Sequence, residues 1–341
     1  MEKKRQIGAD FLRGIAITLM VYGHHTHVGS SAPLQQEVVR VIYSFHMPLF
    51  LIISGFFFTP FENPKRSLKR TAKTIALPYV IFLTLFLMGR LVAPKLGIPV
   101  THGSPPPSMT ELARIVFLHP HGPYWFLHAL VVIQLVMGAS FAVANKFSVG
   151  RIEAFIFSIG ILYALSFSPF ITLGERSVFY FSIGVLLRCY TSSLPTAVGT
   201  GFTLILVYSF VESHASFKQT LPTESVWVMS ILLFLNGVAE RYSGNPIVQI
   251  LSWIGRNTLI ILVLHAFFVT ALRPQSSHVL LVDSTGIFHS LLSTTLTIAL
   301  CLFCSRMFDH LRLSRFLFGV DRVYSPFTSN PSLQQSPQGY T

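Results

Sequence analysis

Long apolar stretches, separated by short polar segments, recur along almost the whole of this chain. Ten of them approach the roughly 20 residues that an α-helix needs to cross the hydrocarbon core of a bilayer. Apolar runs of this length with few charges are typical of membrane spans. The pattern therefore predicts an all-α fold, a polytopic membrane helical bundle with about ten transmembrane helices. The predicted helices cover residues 8–28, 40–60, 74–93, 122–144, 152–170, 176–191, 196–212, 225–239, 247–272 and 286–307.

Composition favours several membrane spans over a single anchor. Of the 341 residues, 51% are hydrophobic and only 11% are charged, whereas soluble domains have about 25% charged residues. No long segment between the spans leaves room for a further domain, so we expect one transmembrane domain over residues 1–324. Residues 325–341 are rich in Ser, Pro and Gln, which predicts a disordered cytoplasmic tail.

The basic charge of the chain carries a topology signal. The net charge is +12, and the Lys and Arg residues of the tails and loops divide into 16 on one side and 7 on the other. Because cytoplasmic loops carry the excess of Lys and Arg, this division predicts cytoplasmic termini and an even number of helices. Charges spread over short loops speak against a nucleic-acid partner, which a compact basic surface would indicate.

Three cysteines, Cys189, Cys301 and Cys304, lie in or beside apolar stretches. The spacing of Cys301 and Cys304 occurs in zinc sites, but no second pair of ligands lies nearby in the sequence. We therefore predict neither a metal site nor a disulfide.

The first predicted helix carries three groups that are costly in a bilayer, Asp10, Arg13 and His24. Eleven residues of helix turn through about 1100°, roughly 20° more than three full turns, so Arg13 and His24 share a face about 16 Å apart. Asp10 is three residues before Arg13, where an ion pair can form. Such groups usually face the bundle interior and mark a working site. Two other interpretations of these three groups remain open: they are interfacial anchors, or they form the charge relay of a secondary transporter.

Two further histidines are candidates for the same site. His46 comes at the start of the second predicted helix, and a short loop between antiparallel helices places it at the depth of His24. His265 lies deep in the ninth predicted helix and needs a polar partner or a wet cavity. A neutral imidazole is a common proton acceptor for a hydroxyl near neutral pH. His25 and His27 fit better as interfacial polar residues.

Two aromatic residues, Tyr124 and Trp125, begin the fourth predicted helix. Rings at this depth usually belong to the interfacial aromatic belt. The same rings can stack on the face of a sugar, so both are also candidates for substrate binding.

Five cations lie in the segment 61–73, which is predicted as a cytoplasmic loop. Spacings of three and four residues would align four of them on one helix face. Such a face can hold phosphates through charge and forked hydrogen bonds, or it can contact anionic lipid head groups. The five cations are Lys65, Arg66, Lys69, Arg70 and Lys73.

Taken together, four sequence elements resemble the membrane acyltransferase 3 family, most closely its fucose 4-O-acetylase-like branch. The resemblance covers about residues 7–310. The elements are Asp10-x-x-Arg13-Gly with His24; Phe45-His-Met-Pro-Leu-Phe with Ser54-Gly55; the basic segment with Leu77-Pro78-Tyr79; and Gly122-Pro-Tyr-Trp-Phe-Leu127 with Gly255-Arg-Asn-Thr-Leu and His265.

The resemblance implies transfer of an acyl group, usually acetyl, from cytoplasmic acyl-CoA to a hydroxyl of a glycan or lipid-linked sugar, in a bacterial inner membrane. Acetyl-CoA is thus expected as the donor, with no bound cofactor. The resemblance implies that His24 is the central catalytic residue, as general base or transient acyl carrier, and that Arg13 shares its cavity. It also implies that the basic segment contacts the CoA phosphates, although Arg66 and Arg70 are one residue further apart than the pair in some relatives. An oxyanion would need a donor, for which His46 is a candidate, and Arg13 only if the helix kinks.

Overall fold

The protein is all-α in the computed structural model, which describes residues 6–92, 108–120, 122–212, 220–273 and 282–327. Within these residues there is no β-strand. The helices are α1 (Ile7–His24), α2 (Ala32–Phe57), α3 (Pro64–Thr71), α4 (Leu77–Val92), α5 (Met109–Phe117), α6 (Trp125–Lys146), α7 (Arg151–Ser166), α8 (Glu175–Tyr190), α9 (Val198–Glu212), α10 (Leu221–Arg241), α11 (Pro246–Arg256), α12 (Thr258–Leu272), α13 (Ile287–His310) and α14 (Ser314–Phe318).

Each of the ten predicted stretches coincides with a helix or a pair of helices, which confirms the all-α prediction. Among the described residues, five helical units are long and apolar enough to cross a membrane: α2, the continuous unit of α3 and α4, α6 with the turn before it, α10 and α13. The bent pair of α11 and α12 makes a sixth if it is one span. Helices α7, α8 and α9 have 16, 16 and 15 residues, fewer than the roughly 20 of a typical span. A polytopic membrane bundle is therefore confirmed, and ten crossings stay a prediction.

Two helix ends differ from the prediction and move three histidines. Helix α1 ends at His24, so His25 and His27 lie in the loop to α2. Helix α2 begins at Ala32, eight residues earlier than predicted, with a proline in its first turn that suits a helix start. His46 therefore lies in the middle of α2, and its predicted place at the helix start is wrong.

The basic segment predicted as a loop is helical. Asn63 caps α3 by accepting the backbone N–H of Arg66 at 2.9 Å, and a proline occupies the first turn. A π-helical turn over Ala72–Ala76 joins α3 to α4 without a gap. The Thr71 hydroxyl donates to the side-chain oxygen of Gln134 in α6 at 2.8 Å. The segment is therefore part of the bundle rather than a flexible connection.

The ninth predicted helix, residues 247–272, is wrong as a single element. Helices α11 and α12 meet at a bend of 80°. The break lies at Asn257, whose backbone leaves the helical region (φ −103°, ψ 18°) and whose side chain bonds to the backbone of Trp253 and Ser325. Asn side chains compete with the helix for local backbone groups in this way. The apolar pattern alone does not reveal such a break.

Two glycines bring α1 and α11 into direct backbone contact. A Cβ atom on Gly14 would lie 1.8 Å from the carbonyl oxygen of Leu251, and a Cβ atom on Gly255 would lie 1.8 Å from the carbonyl oxygen of Asp10. Small residues allow helices to approach this closely in a membrane. The contact therefore fixes the middle of α1 against the end of α11, next to the break.

Two groups of described elements mark the two ends of the bundle. The basic end holds the start of α1, helix α3 and the break at Asn257. The histidine end holds the loop of residues 25–31 and the start of α13. Backbone N–H groups of Ser30 and Ser31 donate across the histidine end to carbonyls of residues 284–285, at 3.0 and 3.2 Å.

A C-terminal segment, residues 323–327, is docked at the basic end, and we call it the strap. The Asp309 carboxylate accepts its first two backbone N–H groups at 2.8 and 3.0 Å, and Ser325 bonds to Asn257. The predicted disordered tail is therefore wrong for residues 325–327, because backbone groups hold them regardless of their polar composition. Residues 328–341 lie outside the described part of the chain.

The substitution Gly255→Val tests the contact between α1 and α11. The added side chain meets a backbone carbonyl that cannot rotate away, so we expect a loss of stability of about 1–3 kcal/mol or more. The measurement is the melting temperature of the detergent-purified protein. Gly160→Val in α7 is the matched control, because a Cβ there has open space within 4 Å. Equal melting temperatures for the two variants would contradict the packing.

Candidate active site

A cavity of about 330 Å³ lies at the basic end, and we call it the arginine cavity. It is enclosed by α1, α2, the unit of α3 and α4, α6 and the break between α11 and α12. Three arginines line it, Arg13, Arg70 and Arg256, and none of the described residues that line it is acidic. The remaining lining residues carry hydroxyl or amide groups (Ser54, Thr59, Ser67, Thr71, Thr74, Gln134, Thr258) or are apolar (Phe50, Phe57, Phe58, Ile75, Phe126, Leu127, Leu130, Gly255, Leu259, Leu262).

Arg13 reaches the arginine cavity from the middle of α1 and is held from two sides. Its Nη1 atom lies 3.6 Å from Oδ1 of Asp10, which confirms the ion pair expected from their spacing. Its guanidinium carbon lies 4.7 Å from the centre of the Phe57 ring, within the range of a cation–π contact. Asp10 is buried. The side chain of Arg13 is therefore oriented before any ligand binds.

Only Arg70 of the five predicted phosphate-binding cations lines the arginine cavity. Leu68 and Thr71 face α6, where Leu68 packs on Gly138, and this orientation of α3 places Arg70 toward the cavity. All five cations are exposed, Arg70 included, and the four that do not line the cavity are Lys65, Arg66, Lys69 and Lys73. A contact between these four and CoA stays a prediction, and their position also suits anionic lipid head groups.

Arg256 is a cavity residue that was not among the site residues predicted from sequence. At the edge of an apolar stretch, a basic residue is expected to anchor the helix at the interface. The break at Asn257 instead places Arg256 in one cavity with Arg13 and Arg70. The available signal was the run Gly-Arg-Asn inside a long apolar stretch, because a continuous membrane helix disfavours all three residues.

The apolar part of the cavity approaches two of the predicted histidines. Phe50 and Leu262 line the cavity, and they lie about one helical turn from His46 in α2 and His265 in α12. Both histidines are buried, and His265 is only 1% exposed. The cavity therefore runs from three arginines at the basic end to about one helical turn from two buried imidazoles.

His24 lies beside His265 at the last turn of α1. The centres of their rings are 5.2 Å apart. The Tyr43 ring lies 6.3 Å from that of His24 and 5.0 Å from that of His46. The rings of His24 and His46 therefore both lie beside Tyr43, and their similar depth in the membrane stays a prediction.

Hydrogen bonds settle which ring nitrogen carries the proton in the two buried histidines. Nδ1 of His46 lies 2.7 Å from the Ile42 carbonyl oxygen, and Nδ1 of His265 lies 3.0 and 2.9 Å from the carbonyl oxygens of Ile261 and Leu262. A carbonyl oxygen only accepts, so Nδ1 is the donor in both rings and Nε2 of the neutral ring is an acceptor. The Nδ1–H group of neutral His46 is thus bound to a helix carbonyl, and a role of His46 as oxyanion donor stays a prediction.

Arg13 and His24 stand at different levels of the bundle. Helix α1 is unbroken, so the two side chains remain about 16 Å apart along its axis. Arg13 lines the arginine cavity and His24 is not among its lining residues. A cavity shared by Arg13 and His24, and a contact of Arg13 with the oxyanion, therefore stay predictions.

The loop that follows His24 is tied to the neighbouring helices. Nε2 of His25 lies 3.2 Å from the Thr297 hydroxyl, and Nδ1 of His27 lies 2.9 Å from the side-chain oxygen of Gln35. His25 is buried. These bonds hold the end of α1, and with it His24, against α2 and α13.

Asp283 caps the start of α13 at the histidine end. Its carboxylate accepts the backbone N–H of Phe288 at 2.8 Å and a hydrogen bond from the Thr285 hydroxyl. The bond from Thr285 is the main cause that holds the pKa of Asp283 below its ordinary value. The carboxylate therefore stays ionised, as suits the positive end of a helix dipole.

Tyr124 and Trp125 have different surroundings. Tyr124 is fully buried, and its hydroxyl donates to the Val263 carbonyl oxygen at 2.7 Å. Its ring has no exposed surface on which a sugar could stack, so Tyr124 braces α12 near His265. Trp125 is 40% exposed, and its contact with a substrate stays a prediction.

The described residues contain no group of three or more His, Cys, Asp or Glu side chains that could hold a metal ion. Cys189, Cys301 and Cys304 are free thiols. The titratable groups that the site does bring together are imidazoles at one level and guanidinium groups at another.

Comparison with known proteins agrees with this architecture. A nodulation protein, NolL from Mesorhizobium japonicum, is 28% identical over 159 residues, which is 44% of this chain and 39% of the length of that protein. No solved structure matches the chain significantly. The fucose 4-O-acetylase-like branch stays a prediction. The family model described as an acyltransferase domain matches residues 6–306, and the chain therefore belongs to the acyltransferase 3 domain family.

Proposed function

We propose that this protein is a membrane O-acyltransferase that moves an acyl group, acetyl in the first instance, from acyl-CoA to a hydroxyl of a glycan or lipid-linked sugar. The observation that carries the proposal is the continuity of the site. A cavity with three arginines ends about one helical turn from the pair of His24 and His265. Membership of an acyltransferase family supports the reaction class.

The arginine cavity suits the phosphates of the donor. Arginine binds phosphate oxygens through two parallel hydrogen bonds as well as charge. Three arginines line the cavity, and the Asp10 carboxylate, which pairs with Arg13, offsets one of these charges, so the described lining keeps an excess of positive charge. A volume of about 330 Å³ is at the lower end of the range for ligand pockets, so it accommodates part of the donor. The pantetheine arm then extends along the apolar lining, past Phe50 and Leu262, toward His24.

The positions of the histidines support general-base catalysis at His24. Neutral His24 takes the proton of the acceptor hydroxyl while the hydroxyl oxygen forms a bond to the thioester carbonyl carbon. The C–S bond then breaks, and the imidazolium returns the proton to the thiolate, which leaves as CoA thiol. This proton transfer is worth about 10²–10⁴ in rate.

A second route uses His24 as a transient acyl carrier. A ring nitrogen of His24 attacks the thioester, the C–S bond breaks, and the ring proton leaves with the CoA thiol. The acceptor hydroxyl next attacks the acyl-imidazole and gives its proton back to the ring. Both routes move one acyl group and leave His24 unchanged.

His265 is the candidate positioning residue for His24. Its Nδ1–H group is bound to helix carbonyls, so its Nε2 atom can only accept. A ring whose centre lies 5.2 Å away can turn one N–H toward this acceptor, which leaves its other nitrogen as the base. The arrangement resembles the third member of a catalytic triad, which orients the base.

The distribution of charge supports an orientation with the basic end in the cytoplasm, in a bacterial inner membrane. Acyl-CoA is a cytoplasmic metabolite, and the arginine cavity lies at this end together with the exposed cations of α3. His24 lies toward the opposite end. The acceptor glycan therefore meets the acyl group from the outer side, as suits an exported or surface glycan.

The substitutions Arg70→Gln and Lys69→Gln test the donor site with neighbouring residues. Charge-assisted hydrogen bonds are worth about 1.5–3 kcal/mol, so Arg70→Gln is expected to weaken CoA binding by about 10–100-fold. Lys69→Gln removes the same charge outside the cavity and is expected to change the affinity for CoA by less than about threefold. Calorimetric titration of CoA into protein in lipid nanodiscs measures both. Equal losses, or a larger loss for Lys69→Gln, would contradict the donor site.

His24→Ala is expected to lower acyl transfer by about 10²–10⁴-fold with CoA affinity unchanged. Mass spectrometry of glycans from cells that carry each variant measures transfer, and His310→Ala, an exposed residue at the end of α13, is the control. Full acetylation with His24→Ala would contradict both proposed catalytic roles of His24.

Counterflow of a substrate through the purified protein in liposomes, without cleavage of a bond, would instead favour the alternative function of a secondary transporter.

A further inference from the structure

The break between α11 and α12 places Arg256 in the arginine cavity and leaves polar backbone groups at two helix ends. Asn257 sits at the break and is only 2% exposed. A buried helix end needs partners for these groups. The side chain of Asn257 bonds to one such group, the Trp253 carbonyl oxygen, at 2.9 Å. The strap, residues 323–327, then binds the side chains of Trp253, Arg256 and Asn257 from outside the cavity.

Backbone groups of Ser325 make the main contacts with the break. Its N–H donates to Oδ1 of Asn257 at 2.8 Å. Its carbonyl oxygen accepts from Nδ2 of Asn257 at 3.1 Å and from Nε1 of Trp253 at 2.9 Å. The side chain of Ser325 takes no part in these three bonds, so the interaction depends on the path of the strap rather than on the residue type.

The next residue of the strap contacts the cavity arginine itself. Nη2 of Arg256 donates to the carbonyl oxygen of Pro326 at 3.3 Å, and the ring of Phe327 packs edge-on against Trp253 with centres 5.8 Å apart. An arginine side chain has many rotamers, and a ligand binds more tightly when its orientation is already fixed. The Pro326 contact restricts Arg256 in this way.

The strap is also fixed at its other end. Asp309, at the end of α13, accepts the backbone N–H groups of Val323 and Tyr324 at 2.8 and 3.0 Å and a hydrogen bond from the Ser314 hydroxyl. The strap thus links the end of α13 to the break. A substitution in the strap therefore acts on Arg256 without replacing any residue that lines the cavity.

We propose that the strap is a positioning element for the acyl donor: the backbone of Ser325 and Pro326 holds the break and Arg256 in the orientation that binds CoA phosphates. This inference rests on the proposed donor site. It assigns a function in donor binding to residues 325–327, which lie outside the stretch that matches the family model.

Two substitutions at one position test the proposal. Ser325→Pro removes the N–H that bonds to Asn257, whereas Ser325→Ala keeps every backbone group and is the matched control. In the full chain in lipid nanodiscs, we expect Ser325→Pro to weaken CoA binding by about tenfold and Ser325→Ala to leave it unchanged. Wild-type affinity in Ser325→Pro would overturn the proposal, and so would an equal loss in Ser325→Ala.

A double-mutant cycle separates positioning from general damage. If the strap acts through Arg256, Ser325→Pro adds little to the loss caused by Arg256→Gln. Full additivity of the two losses would overturn the proposal.

Should Ser325→Pro fail to fold, chains that end at residue 324 or 327 replace it. The first is expected to lose CoA affinity and the second to keep it, and equal affinities would overturn the proposal. A wild-type protein that binds no CoA would instead contradict the proposed donor site itself.

Discussion

The backbone contact between α1 and α11 is the constraint on which the rest of the site depends. At Gly255, helix α11 presses against the carbonyl oxygen of Asp10, and a side chain on either glycine would force the helices apart. This contact brings Arg13 in α1 and Arg256 at the end of α11 into the lining of one cavity, next to the break at Asn257.

Because of the break, α11 and α12 contribute to two different parts of the site. Helix α11 ends at the basic end, where it contributes Arg256 to the arginine cavity. Helix α12 continues toward the histidine end, where it brings His265 beside His24. Tyr124 supports α12 through the Val263 carbonyl, and the strap supports the break. Binding of charge and transfer of the acyl group are thus placed at separate depths, because arginines and neutral imidazoles need different surroundings.

Much of this architecture could be predicted from the sequence, and the exceptions have physical causes. Hydrophobic pattern predicted the helices, and spacing predicted the pair of Asp10 and Arg13. The bend at Asn257 was missed because an apolar stretch looks the same whether it is straight or broken. Arg256 was missed for the same reason, since its direction depends on the bend. The proton positions of His46 and His265 depend on backbone carbonyls, which sequence spacing does not identify. Likewise, only the three-dimensional structure shows that Arg70 lines the cavity and that the other cations of the basic segment do not.

A structure of the protein with bound CoA, determined by cryo-electron microscopy in nanodiscs, tests the central claim most directly. The account predicts CoA phosphates within hydrogen-bond distance of Arg13, Arg70 and Arg256, and a pantetheine arm that runs past Phe50 and Leu262 toward His24 and His265. Phosphates on the exposed face of Lys65 and Lys69, with the arm directed away from His24, would contradict it.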